Sequence, residues 1–215
     1  GEVVEEYGPT ISIQDRACAL EHPVNIDMIY KVKVEYIPKE VCLVCETPEG
    51  FDIKVNGKEL KKDICGYYRD KSFKKIDLTE MLEIGENEIT LSCLFSQKPE
   101  TYENIKKAHF FEAELNKLSY DMEIESIYLV GDFSVKTEGT FTKLNRRAVR
   151  YNGEFIISEP VNKVELNNLE KQGYPFMNGK MVMTKHFDLK DKDYKIKLSK
   201  KFATVVSVKV NGCVV

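Results

Sequence analysis

The chain has 215 residues, of which 32 are Lys or Arg and 35 are Asp or Glu, for a net charge of −3. Acids and bases interleave along it, so it lacks the concentrated basic face with which nucleic-acid binders neutralise phosphates, and nucleic acid is not an expected partner. No stretch approaches the roughly 20 apolar residues of a bilayer span, and the start Gly-Glu-Val-Val-Glu-Glu lacks the basic-then-apolar order of a secretion signal, so no membrane is expected either.

Short runs rich in Val, Ile, Tyr and Phe, punctuated by Gly, Asn, Asp and Pro, predict strands at 3–6, 11–13, 27–37, 41–46, 51–55, 74–77, 88–95, 123–131, 133–136, 154–158, 180–187, 194–198 and 203–210. So many short strands predict an all-β chain. The segment 30–36 alternates strictly and should turn Tyr30, Val32, Val34 and Tyr36 to a core and Lys31, Lys33 and Glu35 to water. Helix is expected in two places. Over 76–87, Asp77 is a candidate N-cap, Glu80 completes a capping-box spacing and Gly85 can end the turn. Over 100–117, Ile105, Ala108, Phe111 and Leu115 recur at three- and four-residue steps.

Six cysteines (18, 42, 45, 65, 93 and 213) are too few for the disulfide framework of a small secreted domain. Cys42 and Cys45 match a bare C-x-x-C pattern, but within a strand positions i and i+3 face opposite ways, so a shared metal or a bridge is not expected. Free thiols favour a reducing, cytoplasmic compartment. A leader removed ahead of Gly1 would make the protein a secreted one.

An internal repeat organises the chain. Lys54-Val-Asn-Gly57 returns as Lys209-Val-Asn-Gly212, each copy following a comparable series of strands, so two related β units are expected, 1–118 and 119–215. Val-Asn-Gly ends a strand in a tight reversal because Asn and Gly both tolerate positive φ. The first copy continues into Asp77-Leu-Thr-Glu-Met-Leu-Glu-Ile-Gly-Glu-Asn-Glu-Ile-Thr-Leu91, whereas nothing comparable follows the second. The second unit is therefore expected to be incomplete, as in a piece of a longer protein.

Val55-Asn-Gly-Lys58 together with the stretch from Asp77 to Leu91 resembles the galactose-binding-like jelly rolls that serve as sugar-binding and accessory domains of family 2 type glycoside hydrolases. Ile127-Tyr-Leu-Val-Gly-Asp-Phe133 with Gln172-Gly-Tyr-Pro-Phe-Met-Asn-Gly179 is similar to segments of large glycoside-hydrolase-like proteins, including relatives of α-L-rhamnosidases. The resemblance touches most of 25–95 and 125–215. It departs where Cys213, rather than Lys, follows the second Asn-Gly. It implies two galactose-binding-like jelly-roll β-sandwich units, catalysis in a separate barrel, and carbohydrate or a catalytic domain of the same polypeptide as partner. A structural calcium is common in such folds, although no dense Asp/Asn loop here asks for one and no other cofactor is expected.

Read from the residues alone, catalysis is disfavoured. Glu46 and Asp52 flank the Thr47-Pro-Glu-Gly50 turn, where carboxylates serve turns more often than acid–base chemistry. His22, His109 and His186 show no metal-ligand spacing, and no serine-nucleophile or phosphate-loop pattern occurs. Sugar recognition calls for an aromatic platform with polar neighbours. Two loops have that make-up. In the first, Tyr67, Tyr68, Arg69 and Asp70 either contact sugar or divide into one core tyrosine and a surface Arg69–Asp70 pair. In the second, Tyr174 and Phe176 flank Pro175 and are either presented or, the preferred reading in a chain without tryptophan, plug an interface. The leading expectation is a non-catalytic sugar-binding or scaffolding region of a larger glycoside hydrolase. The alternatives are an adhesion-type β-sandwich that contacts protein and, behind it, an intact glycosidase.

Overall fold

The protein is described by a computed structural model that covers residues 8–108, 110, 112–145, 148–190, 192–197 and 205–215. The strand expected at 3–6 lies outside them. The chain is β-rich with only short helices, and it divides into two compact units, Gly1–Asp132 and Phe133–Val215. Residues 119–132 thus group with the first unit, because β8 (Tyr128–Gly131) pairs with β2 (Val41–Cys45).

The first unit holds two antiparallel sheets. In one, β4 (Lys58–Glu59), β3 (Asp52–Val55), β7 (Gly85–Phe95) and β1 (Val24–Val34) lie side by side in that order; in the other the order is β5 (Ile64–Tyr68), β6 (Asp70–Asp77), β2 and β8. Alternation sets the register. Met28 faces Leu91 and Tyr30 faces Ile89, while Ile53 also opposes Leu91 from the other side. Ile53, Val55, Ile89, Leu91 and Phe95 of the first sheet and Val41, Leu43, Val44 and Ile76 of the second are essentially fully buried. Each such side chain stabilises the fold by about 1.5–3 kcal/mol. The alternation read over 30–36 holds in part: Val34 is buried, Tyr30, Val32 and Tyr36 are half-buried and Lys31 and Glu35 are exposed, but Lys33, expected in water, is half-buried as well.

Helices fall partly where expected. α2 (Pro99–Ala108) and α3 (Glu112–Leu115) lie within the 100–117 segment to within a residue, but residues 11–13 belong to a helix, α1 (Thr10–Ala19), and not to a strand. Gln14, buried on α1, accepts the Ile124 N–H at 2.6 Å, which ties the helix to the chain entering β8. The capped helix expected over 76–87 is a chain of turns. The Asp77 carboxylate accepts the backbone N–H (2.9 Å) and hydroxyl (2.6 Å) of Thr79, two residues on. That bond closes a side-chain turn instead of a helical cap and drops Leu78 into the core.

The two Val-Asn-Gly corners form the same tight hairpin. Asn56 and Gly57 have φ of 51° and 76°, Asn211 and Gly212 of 50° and 87°, and the closing pairs are Val55 with Lys58 and Val210 with Cys213. Successive positive φ values at both central residues define the primed turn that matches strand twist. The second hairpin, β11 (Lys209–Val210) with β12 (Cys213–Val214), stands alone, whereas β3 is paired into a sheet. Among the described residues, 180–187 and 194–197 form no strand.

A pair of asparagines joins the first corner to the sheet. Asn56 donates from Nδ2 to Asn87 Oδ1 (2.9 Å) and to the Met81 carbonyl (3.3 Å), and its Oδ1 accepts the Glu88 N–H at 2.9 Å. Asn87, buried in β7, accepts the Glu83 N–H at 2.9 Å and donates to the carbonyls of Glu83 (2.7 Å) and Gly85 (3.1 Å). A second lock sits at the start of α2. Asp121 accepts the N–H of Lys98 (2.9 Å) and the hydroxyl of Thr101 (2.7 Å) and pairs with the Lys98 ammonium at 2.9 Å, while buried Gln97 donates to the Met122 carbonyl at 2.6 Å and accepts the Asp121 N–H at 2.7 Å.

Asn87→Ala strands the polar groups it serves, and about 2–3 kcal/mol of unfolding free energy is expected to be lost in a urea titration. A double-mutant cycle with Asn56→Ala should show coupling, since both side chains serve one network. The Lys98 N–H, the Thr101 hydroxyl and the Lys98 ammonium hold the Asp121 carboxyl down at about 2. A carboxylate whose pKa falls on folding contributes stability in full above its unfolded value, about 3.9, and loses it as pH drops through the folded value. The acid limb of the stability curve between about pH 4 and 2 should accordingly flatten in Asp121→Asn, as followed by circular dichroism.

Candidate functional site

Tyr67, Tyr68, Arg69 and Asp70 occupy the tip between β5 and β6. The tip is a left-handed kink: Arg69 has φ of 62°, and its guanidinium lies 5.4 Å from the centre of the Tyr68 ring. Tyr67 is 56% exposed and Tyr68 half-buried. Asp70 is directed to the turn itself, accepting the Ser72 N–H (2.9 Å) and hydroxyl (3.1 Å), and these bonds hold its carboxyl below the usual range. One tyrosine is therefore outward, one is stacked under arginine, and the aspartate shapes the loop.

The second unit carries a larger aromatic array. β9 (Ser134–Lys143) and β10 (Val149–Ser158) form a ten-residue antiparallel hairpin in which Phe141 opposes Tyr151, Gly139 opposes Gly153 and Thr137 opposes Phe155. Opposed residues share a face. Phe141, Tyr151, Phe155 and Phe176 follow one another on it as a ladder, each successive pair of ring centres 4.7 Å apart. The glycine pair makes room for the middle of this ladder. A Cβ on either glycine would fall 2.6 Å from the Cα of the other, and one on Gly153 would meet the Tyr151 hydroxyl at 2.7 Å. Tyr151 instead donates that hydroxyl to the Glu154 carbonyl at 2.6 Å. Phe155 is 42% and Phe176 65% exposed, so the ladder ends in an open ring.

The loop that brings Phe176 to the ladder is fastened to the start of β9. Buried Ser134 accepts the Val161 N–H through its hydroxyl at 2.9 Å, Val135 donates its N–H to the Gly173 carbonyl at 2.9 Å, and Tyr174 donates its hydroxyl to the Val161 carbonyl. Tyr174 is a tie within the second unit and Phe176 is presented, so the two residues of this loop do different jobs. Between loop and hairpin lies a cleft of about 330 Å³ lined by Lys136, Thr137, Ser158, Val161, Lys163, Lys171, Gln172 and Gly173. It adjoins the ladder through Lys171, whose ammonium stands 5.5 Å from the centre of the Phe141 ring, and through Thr137 opposite Phe155.

Other chemistry is thinly supplied. Glu46 is half-buried and Asp52 exposed, and the nearby Glu125 carboxyl is pushed up by burial and then by Glu46 and Glu123. Among the described residues no group of three His, Cys, Asp or Glu side chains is placed to hold a metal ion, and no helix is long and apolar enough to cross a membrane. His109 lies outside the described residues. All six cysteines are free. Cys45 is buried in the core, whereas Cys42 faces Cys65, with the sulfurs 3.8 Å apart; burial, with the Cys65 thiol adding, pushes the Cys42 thiol up to about 11.

Tyr67, Tyr68, Arg69 and Asp70 lie in the first unit, and Tyr174 and Phe176 in the second. Phe141, Tyr151 and Phe155 were not singled out from the sequence. Their signal is Phe141 two residues after Gly139 in one strand, and Tyr151 and Phe155 two residues either side of Gly153 in the next. Comparison of the chain with protein-family models, with curated proteins and with solved structures finds no match.

Gly173 has φ of +94°, and a Cβ there would press on the Ser134 side chain at 2.9 Å. Gly173→Ala is therefore expected to loosen the loop at a cost of about 1–2 kcal/mol. The near-ultraviolet dichroism of the ring ladder should fall in that variant, because Phe176 leaves Phe155.

Proposed function

We propose that the chain is a non-catalytic, carbohydrate-contacting β-sandwich region of a larger glycoside hydrolase, built from galactose-binding-like jelly-roll units. The observation that carries this reading is the aromatic ladder, which ends in exposed Phe176 and adjoins a cleft with polar walls through Lys171 and Thr137. Sugar rings present C–H faces that lie against flat aromatic surfaces, and a rigid preformed platform binds them without paying to order itself. The fastened loop supplies that rigidity. Support for the jelly-roll assignment comes from the first unit, with its two four-stranded antiparallel groupings, its Val-Asn-Gly corner and its Asp77-Leu-Thr plug. The partners on this reading are carbohydrate and a catalytic domain of the same polypeptide, and no cofactor is required. Six free thiols favour a cytoplasmic setting.

The Tyr67–Asp70 tip is the other place where sugar contact can be tested. Calorimetry against a panel of neutral and acidic oligosaccharides is expected to detect binding that falls about five- to tenfold in Phe176→Ala, since one stacked ring contributes on the order of 1–1.5 kcal/mol. Tyr67→Ala should leave that affinity unchanged. Binding lost in Tyr67→Ala and retained in Phe176→Ala would move the site to the first unit. Heat with no oligosaccharide would leave the scaffolding role alone.

A further inference from the structure

The cleft beside the ladder is lined by three lysines and by no carboxylate, in a chain whose net charge is −3. Its neutral polar groups are largely spent. Gln172 accepts the Glu165 N–H at 2.7 Å and donates to the carbonyls of Glu165 and Asn167, so its amide is consumed in closing the loop. Ser158 donates its hydroxyl to the Ser134 carbonyl at 3.1 Å, and Thr137 donates to the Glu170 carbonyl at 3.4 Å. Lys136 is paired with Glu138 at 2.5 Å. Lys163 and Lys171 form no ion pair with any described residue, and Lys171 is held over Phe141 by its ring contact.

A neutral sugar hydroxyl both donates and accepts, and it is best recognised by free amides, which do both in return, or by carboxylates, which accept its proton. A wall whose uncommitted groups are ammonium donors suits a ligand group that only accepts. We propose that this cleft takes an anionic sugar residue of a glycan that lies along the face of the aromatic ladder, its carboxylate or sulfate held by Lys163 and Lys171. The proposal rests on the carbohydrate reading above and narrows it to acidic glycans. The two lysines act as point charges, so the contact is charge-selective but tolerant of anion shape. Partial exposure makes it salt-sensitive.

The test uses the full chain with three probes in parallel: a trigalacturonate, a sulfated disaccharide and a neutral galacto-oligosaccharide, titrated by calorimetry at low and at physiological salt. Acidic probes are expected to bind at least tenfold more tightly than the neutral one and to weaken several-fold as salt rises. Lys163→Gln and Lys171→Gln should each remove most of that preference, weakening the acidic probes far more than the neutral one. Phe176→Ala should weaken acidic and neutral probes alike. The uronate and sulfate arms decide which anion is preferred. Neutral and acidic probes bound equally, or an acidic preference untouched by both lysine variants, would overturn the inference and leave the carbohydrate reading standing. Binding of no probe would overturn both. Circular dichroism of each variant verifies its fold before titration, and Lys171→Arg, which keeps the charge over Phe141, should retain the preference.

Discussion

The contact between Asn56 and Asn87 is the constraint on which the first unit depends. A Val-Asn-Gly corner turns the chain sharply, but a turn alone does not say where the returning strand goes. Here the Asn56 amide spans the gap to Asn87 at 2.9 Å and to the Glu88 N–H at 2.9 Å, so the hairpin and β7 are held in one register. Asn87 in turn closes the reversal from Glu83 to Gly85 that aims β7 into the sheet. Because both amides sit where water is excluded or scarce, leaving either unpaired is expensive, and the network favours this register over its one-residue slips. The two motifs that make the sequence resemble a galactose-binding-like domain, Val-Asn-Gly and Gly-Glu-Asn, are thus the two halves of one hydrogen-bonded joint.

Seen this way, the second corner means less than its sequence suggests. Asn211 and Gly212 adopt the same dihedrals and close the same two-residue hairpin, yet Asn211 has no Gly-Glu-Asn partner among the described residues, and β11 and β12 stand apart from any larger sheet. Local chemistry specifies the turn. The sheet around it requires the second half of the joint.

What could be read from the sequence follows the same division. Alternation in β1 and β3, the opposite facing of Cys42 and Cys45, and both Asn-Gly turns depend on residues near in sequence, and they were legible. The failures are places where a side chain from elsewhere decided the backbone. Ile11 and Ile13 alternate like a strand, but the segment coils into α1, from which Gln14 reaches Ile124. Asp77 and Glu80 have capping-box spacing, but Asp77 bonds Thr79 and the chain turns instead of coiling. The strand expected at 123–131 shrinks to Tyr128–Gly131 because the N–H of Ile124 and the carbonyl of Met122 are taken by Gln14 and Gln97. The β9–β10 hairpin was half seen, at 133–136 and 154–158, since its middle is polar or glycine and carries no apolar period. Phe176 could be picked out from its loop, but the rings that support it become neighbours only through that pairing.

The arrangement in the second unit also bears on what kind of work the cleft can do. Hydrolysis of a glycosidic bond needs two carboxyl groups about 5–9 Å apart, whereas the walls here are ammonium, hydroxyl and amide groups, with the hydroxyls and the amide bound up in fastening the loop. A site that uses its polar groups to stay rigid and leaves cations beside an aromatic face agrees with the proposed role of holding a ligand in place. Its rigidity serves this end directly. The paired glycines leave room for the Tyr151 hydroxyl, and the Ser134, Val135 and Tyr174 bonds fix the loop that carries Phe176, so little conformational entropy is lost when a ring stacks there. On the function proposed above, held orientation is what such a module would contribute to an enzyme: it would raise the local concentration of a tethered glycan without touching the scissile bond.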